Sequence, residues 1–224
     1  DHPASPLHQM IADALSRRFL MGLAMGATAV TITYSPWGKQ SGAHINPSTT
    51  ITFFRLGKVA PWDVVFYIVF QFIGGLAGAL LASLVLSTWV SHPSVHNVVT
   101  TPGSAGAGIA FAAEIGISFI LMTVILNVSN KTRWHKFTGL CAGVLIATYI
   151  TFEAPISGMS MNLARTVASA LPAQHWTALW IYITAPLLGM LAAAGCETAP
   201  VVRVSLVNGM GRVPAPVVAQ AVWR

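Results

Sequence analysis

The sequence predicts an all-α membrane protein built as an inverted repeat of transmembrane helices with two re-entrant half-helices. Three observations carry this. Only 8% of the 224 residues are Asp, Glu, Lys or Arg, against 54% hydrophobic. Several apolar runs are long enough to span a bilayer. One short polar motif occurs twice, each time ahead of an apolar stretch too short to span.

The charge deficit comes first. Soluble domains carry about 25% charged residues, and a surface with so few must face lipid over most of its area. A mean hydropathy of +0.67 agrees. The net charge of +6 is spread thinly, with no Lys/Arg run interleaved with aromatics, so no nucleic-acid partner is expected. Cys141 and Cys196 lie inside apolar runs and read as small buried hydrophobes rather than a disulfide or metal pair.

The apolar runs are Phe19–Tyr34, Trp62–Val90, Gly108–Val128, Phe137–Phe152 and Trp176–Cys196. A span needs about 20 residues, and three runs reach that unaided. Lipid satisfies no backbone group, so each must be helical or part of a closed barrel. The runs do not alternate, which selects helices. Trp62, Trp89, Trp134 and Trp176 stand at their ends as interfacial anchors. Arg55 and Lys58, and then Lys131, Arg133 and Lys136, mark two connections as cytoplasmic. The Lys/Arg-free stretch Ser91–Ala107 falls outside. Arg17 and Arg18 then sit on the outer side, against that rule.

The short stretches are Asn46–Phe54 and Asn162–Leu171. Both begin with Asn, a strong helix N-cap. Ser-Gly stands five and four residues ahead of each Asn, and a Thr four residues behind, Thr50 and Thr166. The span before each copy carries a GxxxG pair, Gly22/Gly26 and Gly139/Gly143, the spacing that lets helices cross closely. An odd number of spans separates the copies, so they enter the membrane from opposite sides. Each half-helix would aim its positive end at the bilayer centre, with Asn46 and Asn162 offering amide N–H groups to a pore there. Cations, hydronium included, would be repelled, and neutral hydrogen-bond acceptors would pass. The repeat also predicts a sixth span upstream of Phe19, which Asp1–Arg18 is too short and polar to supply.

SGAHINPS and SGMSMNLAR resemble the two boxes of the aquaporin, or major intrinsic protein, family, and AAEIGISF (Ala112–Phe119) resembles its fourth-helix pattern. The resemblance covers about Phe19–Cys196 and points to a bacterial-type member. It implies a channel for water and small neutral solutes of the glycerol kind, not an enzyme. It needs no cofactor and no metal. It would be a homotetramer in a bacterial plasma membrane. Asn46 and Asn162 become the pore asparagines. Arg165 becomes the selectivity-filter arginine, and Met25, Ile150 and Met159 complete the ring. This apolar ring around one Arg differs from the usual water-selective filter and fits a wider one. Glu114 becomes a buried acid bracing a half-helix loop. Pro47 and Ser48, and Leu163 and Ala164, follow the asparagines in the boxes. Ser48 stands where Ala is usual, and Leu163 where Pro is usual.

Residues 1–196 are read as one channel domain. Residues 197–224, Val- and Pro-rich without periodicity, are read as an extended or disordered tail. His44 is read as bracing its loop, with a pH gate the alternative. His92 and His96 are spaced i, i+4 but flank Pro93, so no metal is assigned. Gly74, Gly75 and Gly78 are expected to pack against another helix, and Glu153 to be interfacial or solvated. An intramembrane protease lacks a His within a span. A coupled transporter would need more buried acids than Glu114, but it stays an alternative, as does a nonconducting relative.

Overall fold

A computed structural model describes residues 2–196. Among them there is no strand, and ten α-helices follow in order. They are α1 (Pro6–Met10), α2 (Ala14–Tyr34), α3 (Pro36–Ser41), α4 (Pro47–Arg55), α5 (Pro61–Ser91), α6 (Ala107–Ser129), α7 (Thr138–Phe152), α8 (Ala154–Ser157), α9 (Leu163–Ala173) and α10 (Leu179–Cys196). The expected tail, 197–224, lies outside the described residues.

The predicted spans become α2, α5, α6, α7 and α10, and the predicted half-helices α4 and α9. By length and composition, α5, α6 and α10 are long and apolar enough to cross a membrane. At 15 residues, α7 reaches only about 22 Å. The longest, α5, is interrupted at Ser87, where φ is 28° and ψ −101°. Asp13 caps α2, its carboxylate accepting from the Ser16 N–H and hydroxyl, each at 2.7 Å. The Ser16 hydroxyl, then its N–H, hold that carboxyl below the ordinary Asp range.

Glycine decides how α2 crosses α7. A Cβ on Gly22 would lie 2.5 Å from the Ala147 carbonyl oxygen, and one on Gly26 2.5 Å from that of Gly143. From the other side, a Cβ on Gly139 would lie 2.6 Å from Thr33 Cγ2 and one on Gly143 2.4 Å from Val30 Cγ2. The two GxxxG pairs of the sequence therefore face each other across one crossing. Gly189 does the same for α10 on α6, 2.4 Å from the Ile115 carbonyl oxygen. Of the α5 glycines only Gly75 meets a neighbour, Ala168 of α9 at 3.3 Å. Gly74 and Gly78 meet nothing within 4 Å, contrary to the packing expected of them.

The remaining contacts follow the inverted repeat. With α2 equivalent to α7, α4 to α9 and α5 to α10, the packing of α5 on α9 has its mirror in α10 on α4. The extensive packing of α6 on α10 has no mirror among the described residues, because nothing equivalent to α6 lies against α5. This explains why α5, one of the most apolar helices, buries no residue at all. The core lies on the other side, around Met122, Ile181, Tyr182 and Met190, each fully buried.

Candidate functional site: two half-helices tip to tip

Asn46 and Asn162 each sit at the N-cap of their half-helix in an extended conformation. Asn46 Oδ1 accepts from the Ser48 N–H at 2.9 Å, and Asn162 Oδ1 from Ala164 at 3.0 Å and Arg165 at 3.3 Å. These bonds satisfy leading N–H groups that the helix itself cannot. Each Asn also reaches across the repeat. Asn46 Nδ2 donates to the Met161 carbonyl at 2.7 Å, and Asn162 Nδ2 to the Ile45 carbonyl at 2.8 Å. So each side chain holds the residue that precedes the other. An amide nitrogen carries two hydrogens, and the second remains for whatever occupies the space between.

The repeated Thr forms a clasp. Thr50 Oγ1 bonds His44 Nδ1 at 3.1 Å, and Thr166 Oγ1 bonds Ser160 Oγ. In both halves the hydroxyl four residues after the Asn ties the side chain two residues before it.

Bracing of the two loops is otherwise unequal. Glu114, fully buried on α6, accepts from Ser157 Oγ at 2.9 Å and the Ser160 N–H at 2.6 Å through Oε1, and from the Met161 N–H at 2.8 Å through Oε2. Tyr182 on α10 donates its hydroxyl to the Ser157 carbonyl at 2.6 Å. The first loop has no acid. Gln71 on α5 donates to the His44 carbonyl at 2.7 Å and to Thr50 Oγ1 at 3.0 Å, and the His44 ring stacks on Tyr67 at 5.0 Å. That is the bracing position expected of His44. Gln71 Oε1 has no partner, and among the described residues no acceptor reaches the N–H of His44 or Ile45.

A cavity of about 1280 Å³ passes between the half-helices, lined by Asn46, Asn162, Arg165, Met25, Ile150 and Met159 among others. It extends from Arg18 past the asparagines to Lys58, Asp63 and Thr132. All the residues predicted for the filter thus reach one wall system. Met159 is buried, Met25 is exposed on its helix face, and Ile150 and Arg165 are partly buried. Pro47, Ser48 and Ala164 are buried behind the asparagines and Leu163 is partly so. Arg18, placed on the outer side by sequence, donates from Nε to the Thr151 carbonyl at 3.2 Å.

The sequence missed Thr100, whose hydroxyl accepts from Arg165 Nη1 and thereby aims the guanidinium from the loop between α5 and α6. No local signal marks a lone loop threonine. Gln71 and Tyr182 were missed for the same reason. Two expectations are corrected. Glu153, at the junction of α7 and α8, is buried at 9% exposure rather than interfacial or solvated. Cys196 is exposed at the end of α10, and Cys141 is only partly buried; both are free thiols. Among the described residues no group of three or more His, Cys, Asp or Glu is placed to hold a metal ion.

Fold and site together define a class: polytopic helical membrane proteins whose cavity is lined at mid-depth by two Asn-capped re-entrant helices. The profile of the family described as Major intrinsic protein matches residues 7–196, and the chain belongs to that family. It is 37% identical over 182 residues to "Aquaporin NIP6-1" of Arabidopsis thaliana, covering 80% of this chain and 57% of the relative. It is 33% identical over 182 residues to "Glycerol uptake facilitator protein-like 6" of Lactiplantibacillus plantarum, covering 79% of this chain and 82% of that one. The chain thus spans little more than half of the Arabidopsis relative. Its fold is similar to that of the aquaglyceroporin from Plasmodium falciparum, with a TM-score of 0.64, 18% identity, and coverage of 81% of this chain and 95% of that one.

Proposed function

We propose that the chain forms a passive transmembrane channel for water and small neutral solutes of the glycerol class, and that it excludes protons and ions. One observation carries this: Asn46 and Asn162 meet across a continuous cavity at the N-terminal ends of two opposed half-helices. Each end brings roughly half a positive charge, so a cation at the junction meets two repulsive dipoles. A water or hydroxyl oxygen meets two amide donors instead. Arg165 adds a fixed positive charge, and Met25, Ile150 and Met159 form the apolar remainder of the narrowing. With no aromatic or His in that ring, Arg165 is its one hydrogen-bonding side chain. The names of the plant and bacterial relatives agree with this solute range.

The unpaired N–H groups of His44 and Ile45 and the uncovered face of α5 have one common explanation: a further helix, equivalent to α6 and bearing a carboxylate equivalent to Glu114, seats there and completes the wall. We further propose a homotetramer in a bacterial plasma membrane, with residues 1–196 as one channel domain.

Stopped-flow light scattering on vesicles containing the protein tests the reading. Fast osmotic shrinkage with low activation energy is expected. Arg165→Ala should admit larger solutes or cations, and unchanged selectivity would refute the filter assignment. Saturable, gradient-coupled uptake would point to a transporter. No flux at all, from a well-folded protein, would leave a structural role.

A further inference from the structure

The loop between α5 and α6 contains a histidine that the channel does not use. His96 opens a short 3-10 turn, His96–Val98, whose three residues all have positive φ, 47°, 52° and 54°. The turn packs against α5 and α9. His175 follows the C-cap of α9 and is fixed there by its N–H donating to the Ala170 carbonyl at 3.1 Å. The two imidazoles meet edge-on, with centroids 5.0 Å apart and planes at 75°. His92, the partner that sequence spacing offered, is turned away. Its ring meets His2, and its Nδ1 bonds Ser94 Oγ at 2.8 Å.

That separation has a chemical meaning. Zn²⁺ holds imidazole nitrogens at about 2.0–2.1 Å, and another ~1.1 Å leads to the ring centre. Two rings at a tetrahedral angle around one ion then have centroids about 5.2 Å apart. The observed centroid separation of 5.0 Å lies close to that spacing. His96 is exposed and His175 half-exposed, leaving water to fill the other positions.

We propose that His96 and His175 form a binding site for a zinc-class divalent cation, and that its occupation slows the channel. The second part rests on the proposed function; the first does not. The link runs through Thr100. The segment from His96 to Thr100 is tied to α9 at both ends, to His175 by the ring contact and to Arg165 by the hydroxyl bond. α9 advances about 12 Å from Arg165 to Ala173, and the compact turn at His96–Val98 spans the same stretch from outside. An ion clamping the far end removes the freedom by which the loop and the Arg165 guanidinium shift together as solute passes.

The test has two arms, both on the full chain. In detergent, calorimetric titration with ZnCl₂ should give one site, with His96→Ala and His175→Ala each weakening it at least about tenfold. Loss of even an outer-shell partner costs ~10–100-fold. His92→Ala should bind as the unsubstituted chain does. In vesicles, Zn²⁺ should slow osmotic shrinkage, EDTA should restore it, and His96→Ala should be insensitive. Equal Zn²⁺ affinity in all variants overturns the site, whether or not the vesicles conduct. Binding that is lost in the variants, with flux in the unsubstituted chain indifferent to Zn²⁺, overturns the coupling alone.

Discussion

The cross-bracing of the two asparagines predicts a particular pattern of destabilisation. Asn162→Ala removes two cap bonds, to Ala164 and Arg165, and one bond to the Ile45 carbonyl. Losing an N-cap costs about 1 kcal/mol. The Ile45 carbonyl belongs to an exposed residue on the cavity wall, where water can take it up, so its lost bond costs the net ~0.5–1.5 kcal/mol. The sum is about 1.5–2.5 kcal/mol. For a chain of this size each kcal/mol moves Tm by about 2–4 °C, so a fall of roughly 3–10 °C is expected. Asn46→Ala should cost less, because Asn46 makes one cap bond and the next residue, Pro47, has no N–H to satisfy. The cap can be separated from the brace. Ser caps about as well as Asn but cannot reach the opposite loop, so Asn162→Ser should recover roughly the cap's 1 kcal/mol. The double alanine variant should be less destabilised than the sum of the singles, with a coupling of about 0.5–3 kcal/mol, since either single change already parts the loops. Thermal unfolding in detergent, followed by tryptophan fluorescence, measures all four. Strict additivity, or an Asn162→Ser variant as stable as the unsubstituted chain, would refute mutual bracing.

Gly143→Val should prise α2 from α7, because a Cβ there would lie 2.4 Å from Val30 Cγ2 and 2.9 Å from the Gly26 carbonyl oxygen. A cost of about 1–3 kcal/mol should appear as lower Tm, whereas Gly78→Ala, in open space, should unfold normally. Glu114→Gln should lower Tm by several degrees. Only its amide oxygen can accept, so one of the Ser160 and Met161 N–H groups loses its partner, and each charged bond is worth ~1.5–3 kcal/mol. Thr100→Val should leave Tm nearly unchanged but loosen Arg165, read as altered water-to-solute permeability ratios in vesicles. Asp13 titrates below its ordinary value, so its cap stabilises α2 fully above about pH 4 and is lost as pH falls through the depressed folded value. Asp13→Asn should remove that dependence in acid unfolding curves.

What could be read from the sequence was local chemistry, and what could not was assembly at a distance. Asn46 and Asn162 were visible as caps because capping depends on neighbours two and three residues away. The repeated Thr was visible as a coincidence of spacing, and only the structure explains it, as a clasp on the residue two before the Asn. The GxxxG pairs announced close crossing without naming the partner. That α2 meets α7, while Gly74 and Gly78 meet nothing, depends on which helices are neighbours. The burial of Glu153 at the junction of α7 and α8 leaves no trace in composition. Thr100 lies 65 residues from Arg165, and no pattern joins them.

The two halves reach the same junction by unequal means, and this bears on how the fold holds together. Each half-helix leans on the opposite repeat. α9 packs chiefly on α5 of the first unit, while α4 is shared about equally between α5 of its own unit and α10 of the second. Each Asn then bonds the opposite loop. A single repeat would therefore expose both the side of its half-helix and the carbonyl that its partner's amide should hold. In lipid such groups find no water to compensate. The cavity can exist only when both units are folded together. The second unit, with Glu114 and Tyr182 bracing its loop, is the firmer of the two, and it provides the surface on which the Gln71-braced first loop is ordered.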